Sequence, residues 1–265
     1  EVSRGTGSGW GDASISVDGL AYFISDDGFQ RFDGQSLQPI GQGRVSATFW
    51  SDVDREQLHR VNVAHDPLRK IIIWAYPNAS ATSGNPNKWL IYSYATDRWR
   101  IATDAAVACS LLFTCVADHV TLDNFDTYFP LGMDGYTAKS LDGPGVNGGA
   151  PIISSFDASF NLVTHNGATI AALVETGETD AQGSRVYVSG IRPLTDATTA
   201  TAAVGHRVNF SDGVTYTSLT AQGSDAICPQ RIATRYARAR VYIPSAGSWT
   251  YLQGADVMFR QEGKR

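Results

Sequence analysis

Residues 20–41, LAYFISDDGFQRFDGQSLQPIG, decide the reading of the fold. A short apolar run from Leu20 to Ile24 meets Asp26-Asp27-Gly28. A middle run bracketed by Phe29 and Phe32 meets Asp33-Gly34, and a third run carries Leu37 and Ile40. Asp27-Gly28 and Asp33-Gly34 are the dipeptides that two-residue hairpin loops favour, because both central residues then sit at positive φ. Short apolar runs punctuated in this way predict antiparallel strands in a meander.

The phrase returns twice. Residues 128–143, YFPLGMDGYTAKSLDG, hold Asp134-Gly135 and Asp142-Gly143, and residues 160–170, FNLVTHNGATI, hold Asn166-Gly167. Three hairpins of one design predict a repeated β architecture, and residues 1–167 read as β-propeller blades. The strongest strand signal lies in residues 61–101. Four runs, at 61–64, 70–76, 88–94 and 98–101, are joined by turns at 65–69 and 95–97 and by a polar loop at 77–87. Ile71 to Tyr76 is apolar almost without a break, so both faces of that strand should be covered. Residues 49–61, FWSDVDREQLHRV, read as one helix, with Ser51 as N-cap and Phe49, Val53, Leu58 and Val61 turned inward. Residues 105–116 read as a further strand. Beyond residue 167 Trp and Tyr thin out and longer alternating runs appear, at 168–175, 185–193, 199–208, 214–219, 235–243 and 248–260. These predict a β-sandwich over residues 168–265 and make the whole chain all-β.

With 265 residues, 43% of them apolar and 26 of them Gly, the chain can bury a core and still turn often. Its 26 acidic residues outnumber 21 basic ones, for a net charge of −5, which argues against a surface that grips nucleic acid throughout. No apolar run reaches the length of a membrane span. The three cysteines, Cys109, Cys115 and Cys228, form no CxxC pair and read as free thiols, which suits assembly in a reducing cytoplasm.

At this point the residues suggest a family. AYFISDDGFQRFDGQSLQPIG, then HDPLRKIIIWAYP, then KWLIYSYATDRWR, and the ending RYARARVYIPSAGSWTYLQGADV with its final GKR, resemble tail proteins of tailed bacteriophages and related prophage elements. β-Propeller proteins of this kind form the tail nozzle or tail hub of short-tailed phages. The resemblance implies a non-enzymatic virion structural protein that forms a homo-oligomeric ring around the channel through which DNA is ejected. It implies other tail proteins as partners, on the adaptor or portal side and at the fibre or tip, and DNA that passes without specific contact. It implies no cofactor and no metal, a place in the virion tail, and assembly in the bacterial host cytoplasm. Members of this family are mostly longer, which implies residues ahead of Glu1.

The carboxylate pairs Asp26/Asp27, Asp52/Asp54 and Asp123/Asp126 could serve a glycosidase, but they read as turn and helix-start residues, and the loop at 123–126 lacks the spacing of an EF-hand. The five histidines are scattered, and no HExxH, G-x-S-x-G or P-loop is present. Trp74, Trp89 and Trp99 support a second function, a carbohydrate-binding propeller that stacks a glycan on its indoles; the competing reading is packing inside a sheet. Arg231, Arg235, Arg238, Arg240, Arg260, Lys264 and Arg265 concentrate positive charge near the C-terminus. Within 235–243, Tyr236, Arg238, Arg240 and Tyr242 alternate with Ala237, Ala239, Val241 and Ile243. The polar four are expected to face another chain of the tail, and reversing Arg238 and Arg240 to Glu is expected to leave the isolated fold intact.

Overall fold

The computed structural model of the chain describes residues 7–103, 107–116, 150–180 and 184–261. The protein is all-β, built from several antiparallel sheets, and among the described residues there is no closed barrel. It divides into two compact units, Glu1–Asn166 and Gly167–Arg265.

The first unit opens with the meander. Strands β1 (Ile15–Val17), β2 (Leu20–Ser25), β3 (Gly28–Phe32) and β4 (Leu37–Pro39) pair in sequence order. The turn chemistry is shifted from the expected frame. Ser25 pairs with Gly28, so the two-residue loop is Asp26-Asp27, and Gly28, at φ 105°, is already the first strand residue. A Cβ on Gly28 would lie 2.2 Å from Ser46 Oγ, so close approach as well as φ requires glycine there. The Asp-Gly loop with both residues at positive φ is instead Asp18-Gly19, at 51° and 81°, which joins β1 to β2. Asp33-Gly34 lies within a four-residue loop: Phe32 pairs with Leu37, and the Asp33 carboxylate accepts from the backbone N–H of Gln35 and Ser36 at 2.9 and 2.6 Å.

The single helix expected over 49–61 is two shorter pieces. Helix α1 (Ser46–Asp52) ends where Val53 turns extended, and a 3-10 segment (Arg55–Arg60) follows. Asp54 is the capping residue, accepting from Glu56 N at 3.0 Å, whereas Ser51 Oγ donates to the Thr48 carbonyl. The inward residues keep their place all the same: Phe49, Val53 and Val61 are buried, and Leu58 packs against the same core.

Strands β5 (Asn62–Asp66), β6 (Ile71–Tyr76), β7 (Lys88–Ser93) and β8 (Arg98–Ala102) form a second four-stranded meander. His65 belongs to β5 rather than to a turn, because the strand runs on to Asp66, whose carboxylate accepts from Leu68 N and Arg69 N. Ile72, Trp74 and Tyr76 enter one cluster with Ile24, Phe29 and Phe49. Ile73 and Ala75 enter another with Leu112 and Ile153. The unbroken apolar run of β6 thus has both faces buried. Strands β9 (Leu111–Val116), β10 (Pro151–Phe156) and β11 (Leu162–Thr164) make a three-stranded sheet in the order β11-β10-β9. Asn166-Gly167 is not a hairpin turn. The hairpin forms earlier, where Asp157 accepts from Ser159 N and Asn161 N, so β11 pairs with β10. The turns Asp134-Gly135 and Asp142-Gly143 lie outside the described residues.

The second unit holds β12 (Ala172–Glu175), β13 (Thr179–Asp180), β14 (Val186–Thr195), β15 (Thr201–Arg207), β16 (Thr215–Tyr216), β17 (Thr220–Ala221), β18 (Cys228–Thr234), β19 (Tyr236–Ile243) and β20 (Leu252–Gln261). One sheet follows the order β12-β19-β15-β16, with β13 and β17 attached at its margins, and the other is β18-β14-β20. Val188, Ile191 and Cys228 of the smaller sheet meet Ala202, Val204, Ala239 and Val241 of the larger in one buried layer, which makes this unit a β-sandwich.

Candidate functional site

The alternation read in β19 places its side chains as expected. Ala239, Val241 and Ile243 are buried, and Tyr236, Arg238, Arg240 and Tyr242 are half-buried on the outer face. The register explains what those side chains touch. Glu175 of β12 stands opposite Arg240, and Gly205 of β15 opposite Arg238. A Cβ on Gly205 would fall 2.7 Å from the Tyr216 ring and 2.9 Å from Arg238 Cγ, so this glycine leaves the room in which those two side chains lie across the sheet.

The result is a compact network around Glu175. Arg240 ion-pairs with one carboxylate oxygen, Arg238 approaches the other at 3.6 Å, and the Tyr216 hydroxyl donates to it at 3.0 Å. The Arg240 guanidinium also covers the Tyr216 ring, 3.4 Å from its centroid. One carboxylate and one aromatic ring therefore take up both arginines within the chain. Arg238→Glu with Arg240→Glu would set three carboxylates side by side around the position of Glu175, and like charges opposed across neighbouring strands are destabilising.

A second network lies at the other end of β19. Arg207 of β15 is opposite Tyr236 and forms a salt bridge with Glu178 at 2.7 Å. Its guanidinium lies 4.1 Å from the centroid of the Phe210 ring and 5.7 Å from that of Tyr236, and it donates to the Phe210 carbonyl. Neither Glu175 nor Glu178, nor Arg207, Phe210 or Tyr216, stood out in the sequence reading. Their meeting depends on strand register between distant segments, and no local spacing encodes it.

The indoles proposed for sugar stacking are used for packing. Trp74 is fully buried and donates from Nε1 to the Ala13 carbonyl at 3.0 Å. Trp89 is buried, with His165 at its ring edge. Trp99 is half-buried, stacks on Trp74, lies against Tyr92 and donates to the Ile40 carbonyl at 3.1 Å. Trp74 and Trp89 offer no exposed face to a sugar.

The carboxylates likewise serve structure. Asp26 and Asp27 form a loop, Asp52 binds Lys88 and the Tyr76 hydroxyl, and Asp54 caps a turn. Asp123 and Asp126 lie outside the described residues. His65 bonds Tyr94 at 3.1 Å and His165 bonds Ser155 at 2.8 Å, and burial lowers the pKa of both imidazoles. Burial pushes the Cys109 thiol up to about 11, the opposite of an activated nucleophile. The three cysteines are free. Among the described residues no group of three or more His, Cys, Asp or Glu side chains could hold a metal, and no helix is long and apolar enough to cross a membrane. No protein-family model matches the chain, and no curated protein matches it in sequence.

Proposed function

We propose that the chain is a non-enzymatic structural subunit of a bacteriophage tail, a component of the nozzle or hub that assembles as a ring around the path of the ejected DNA. One observation carries this reading. The stretches that resemble phage tail proteins fold into two successive four-stranded meanders, β1–β4 and β5–β8, followed by a β-sandwich whose outer face is rich in Arg and Tyr. Within this proposal the meanders are blades of a propeller-like unit. The net charge of −5 suits a conduit, because an acidic wall repels phosphate and lets DNA slide, whereas a basic wall would hold it. The chemistry of the site fits a scaffold, since Asp52, Glu175 and Glu178 are held in ion pairs, Asp54 and Asp66 in caps and turns, and His65 and His165 in hydrogen bonds.

The test is a density map of intact particles from a host that carries this sequence, read beside mass spectrometry of the purified particles. The expected result is the fold in several copies around the tail axis. Purified particles that lack the polypeptide would overturn the proposal.

A further inference from the structure

We infer that Asn166-Gly167 is a site of spontaneous covalent modification, where the chain converts its own asparagine to aspartate and isoaspartate with help from the Thr164 hydroxyl. The dipeptide has the composition of a hairpin turn, yet the fold does not use it as one, since the β10–β11 hairpin closes earlier. The inference is independent of the tail reading.

The amide nitrogen after an asparagine can attack the side-chain Cγ only if the backbone bends toward it and nothing crowds the nitrogen. Glycine grants both. Asn166 and Gly167 are exposed, and a Cβ on Gly167 would meet nothing within 4 Å. The backbone is anchored on either side, for His165 N–H donates to the Ile153 carbonyl at 2.9 Å and Thr169 Oγ1 donates to the Gly247 carbonyl at 2.6 Å. Between these anchors the Gly167 N–H donates to no acceptor among the described residues, so no hydrogen bond has to break before it reacts. Thr164 Oγ1 donates to Asn166 Oδ1 at 3.2 Å. That bond draws electron density from Cγ and stands where negative charge collects as the nitrogen adds. Asn161 has neither advantage: Leu162 follows it, and its Nδ2 donates to the Asp157 carboxylate at 3.1 Å.

The steps balance with water as the only co-reactant. The Gly167 nitrogen gives its proton to solvent hydroxide and bonds to Asn166 Cγ. The Cγ–Nδ2 bond breaks, and ammonia leaves with a proton from water, which closes a succinimide ring. Water then opens the ring. Cleavage at Cγ gives aspartate, and cleavage at the backbone carbonyl gives isoaspartate, in which the chain runs on through Cβ and Cγ. The net change is asparagine plus water to carboxylate plus ammonium. Solvent is the base, because His165 is engaged by Ser155 Oγ and lies at the edge of the Trp89 ring. Loss of ammonia makes the step one-way, so the modified fraction records the age of the chain. Each event adds a negative charge to a net of −5, at the peptide bond where the first compact unit ends and the second begins.

The test incubates the full chain, folded and in denaturant, at neutral and mildly alkaline pH. Peptides spanning residue 166 are then read by mass spectrometry after a separation that resolves aspartate from isoaspartate. The folded chain should gain the mass difference of OH for NH2 at residue 166, faster at the higher pH and as both products, while Asn161 stays intact over the same interval. Thr164→Val should slow the reaction of the folded chain by roughly two- to tenfold, the worth of one hydrogen bond, and leave its rate in denaturant unaltered. Asn166→Gln should abolish the change at that position. A folded chain that keeps Asn166 while the denatured chain loses it would overturn the inference. So would a folded Thr164→Val chain, with its thermal midpoint unaltered, that reacts as fast as the unchanged protein.

Discussion

The Asp33 carboxylate shows how much one residue does in a fold made of turns. It accepts from Gln35 N, Ser36 N and Ser36 Oγ, and these hydrogen bonds, with the backbone donors the largest cause, lower its pKa to about 2. An ordinary Asp titrates near ~3.9, so the folded state favours the charged form. The contribution to stability is therefore complete above about pH 4 and is lost as pH falls through about 2. We expect a carboxyl titration followed by NMR to place Asp33 near 2, and Asp33→Ala to remove that part of the acid sensitivity. A midpoint at the ordinary value would contradict the geometry. Residues of this kind were legible in the sequence as turn formers, though not in their frame. Asp27-Gly28 and Asp18-Gly19 look alike as dipeptides, yet only the second forms the two-residue loop. Ser46 decides the first case, because its side chain leaves space for a hydrogen at position 28 and nothing larger. That contact joins residues far apart in the chain, and no local pattern announces it.

At the scale of the element, β19 was the most legible strand and the least predictable in its contacts. Its period of two follows from Ala, Val and Ile alternating with Arg and Tyr, and the buried side came out as that alternation requires. What lies over the outer face depends on which strands stand beside it, and Glu175 comes from a strand some sixty residues earlier. Glu175→Ala should cost roughly 1 kcal/mol, the upper end for half-exposed ion pairs, because two arginines and a tyrosine share that one carboxylate. A double-mutant cycle with Arg240→Ala should show coupling of the same sign. Arg238→Glu with Arg240→Glu should destabilise the sandwich by more than the Glu175 change, in chemical denaturation at low salt. Equal stability of that double variant and the unchanged protein would mean that the Glu175 network contributes nothing. Helix α1 gives the opposite lesson. Phe49, Val53 and Val61 were read as buried from a helical period that the chain does not follow, and they are buried because the core needs them, through a break at Val53.

At the scale of the whole molecule, each unit has a core of its own. The first is organised on aromatic rings, with Phe29 between Phe49, Trp74 and Trp99 at centroid distances of 5.1, 5.0 and 4.9 Å. The second is a layer of Ala, Val and Ile. Trp74→Ala should cost the first unit about 3–5 kcal/mol, the usual range for a large aromatic deleted from a packed core. Denaturation followed by NMR signals from each unit checks this: signals from residues of the first unit should shift to lower denaturant, and those of Val204 and Val241 should not. A shift of both together would show that one core reports on the other. The change in texture beyond residue 167 made two kinds of core readable in composition alone. Strand β18 went unread because Pro229 and two polar residues interrupt its apolar pattern.

The burial of β6 on both sides also has a consequence in time. As the chain leaves the ribosome, β5–β8 can close against the first meander at once, since Ile24, Phe29 and Phe49 have already emerged. The opposite side, with Ile73, Ala75 and Trp89, must wait for Leu112 and finally for Ile153. At roughly 5–20 residues per second, the eighty residues that separate Ile73 from Ile153 take on the order of ten seconds to synthesise. For that interval the nascent protein shows a finished sheet with one oily side, and the waiting side is where a chaperone, or another nascent copy, has its opportunity.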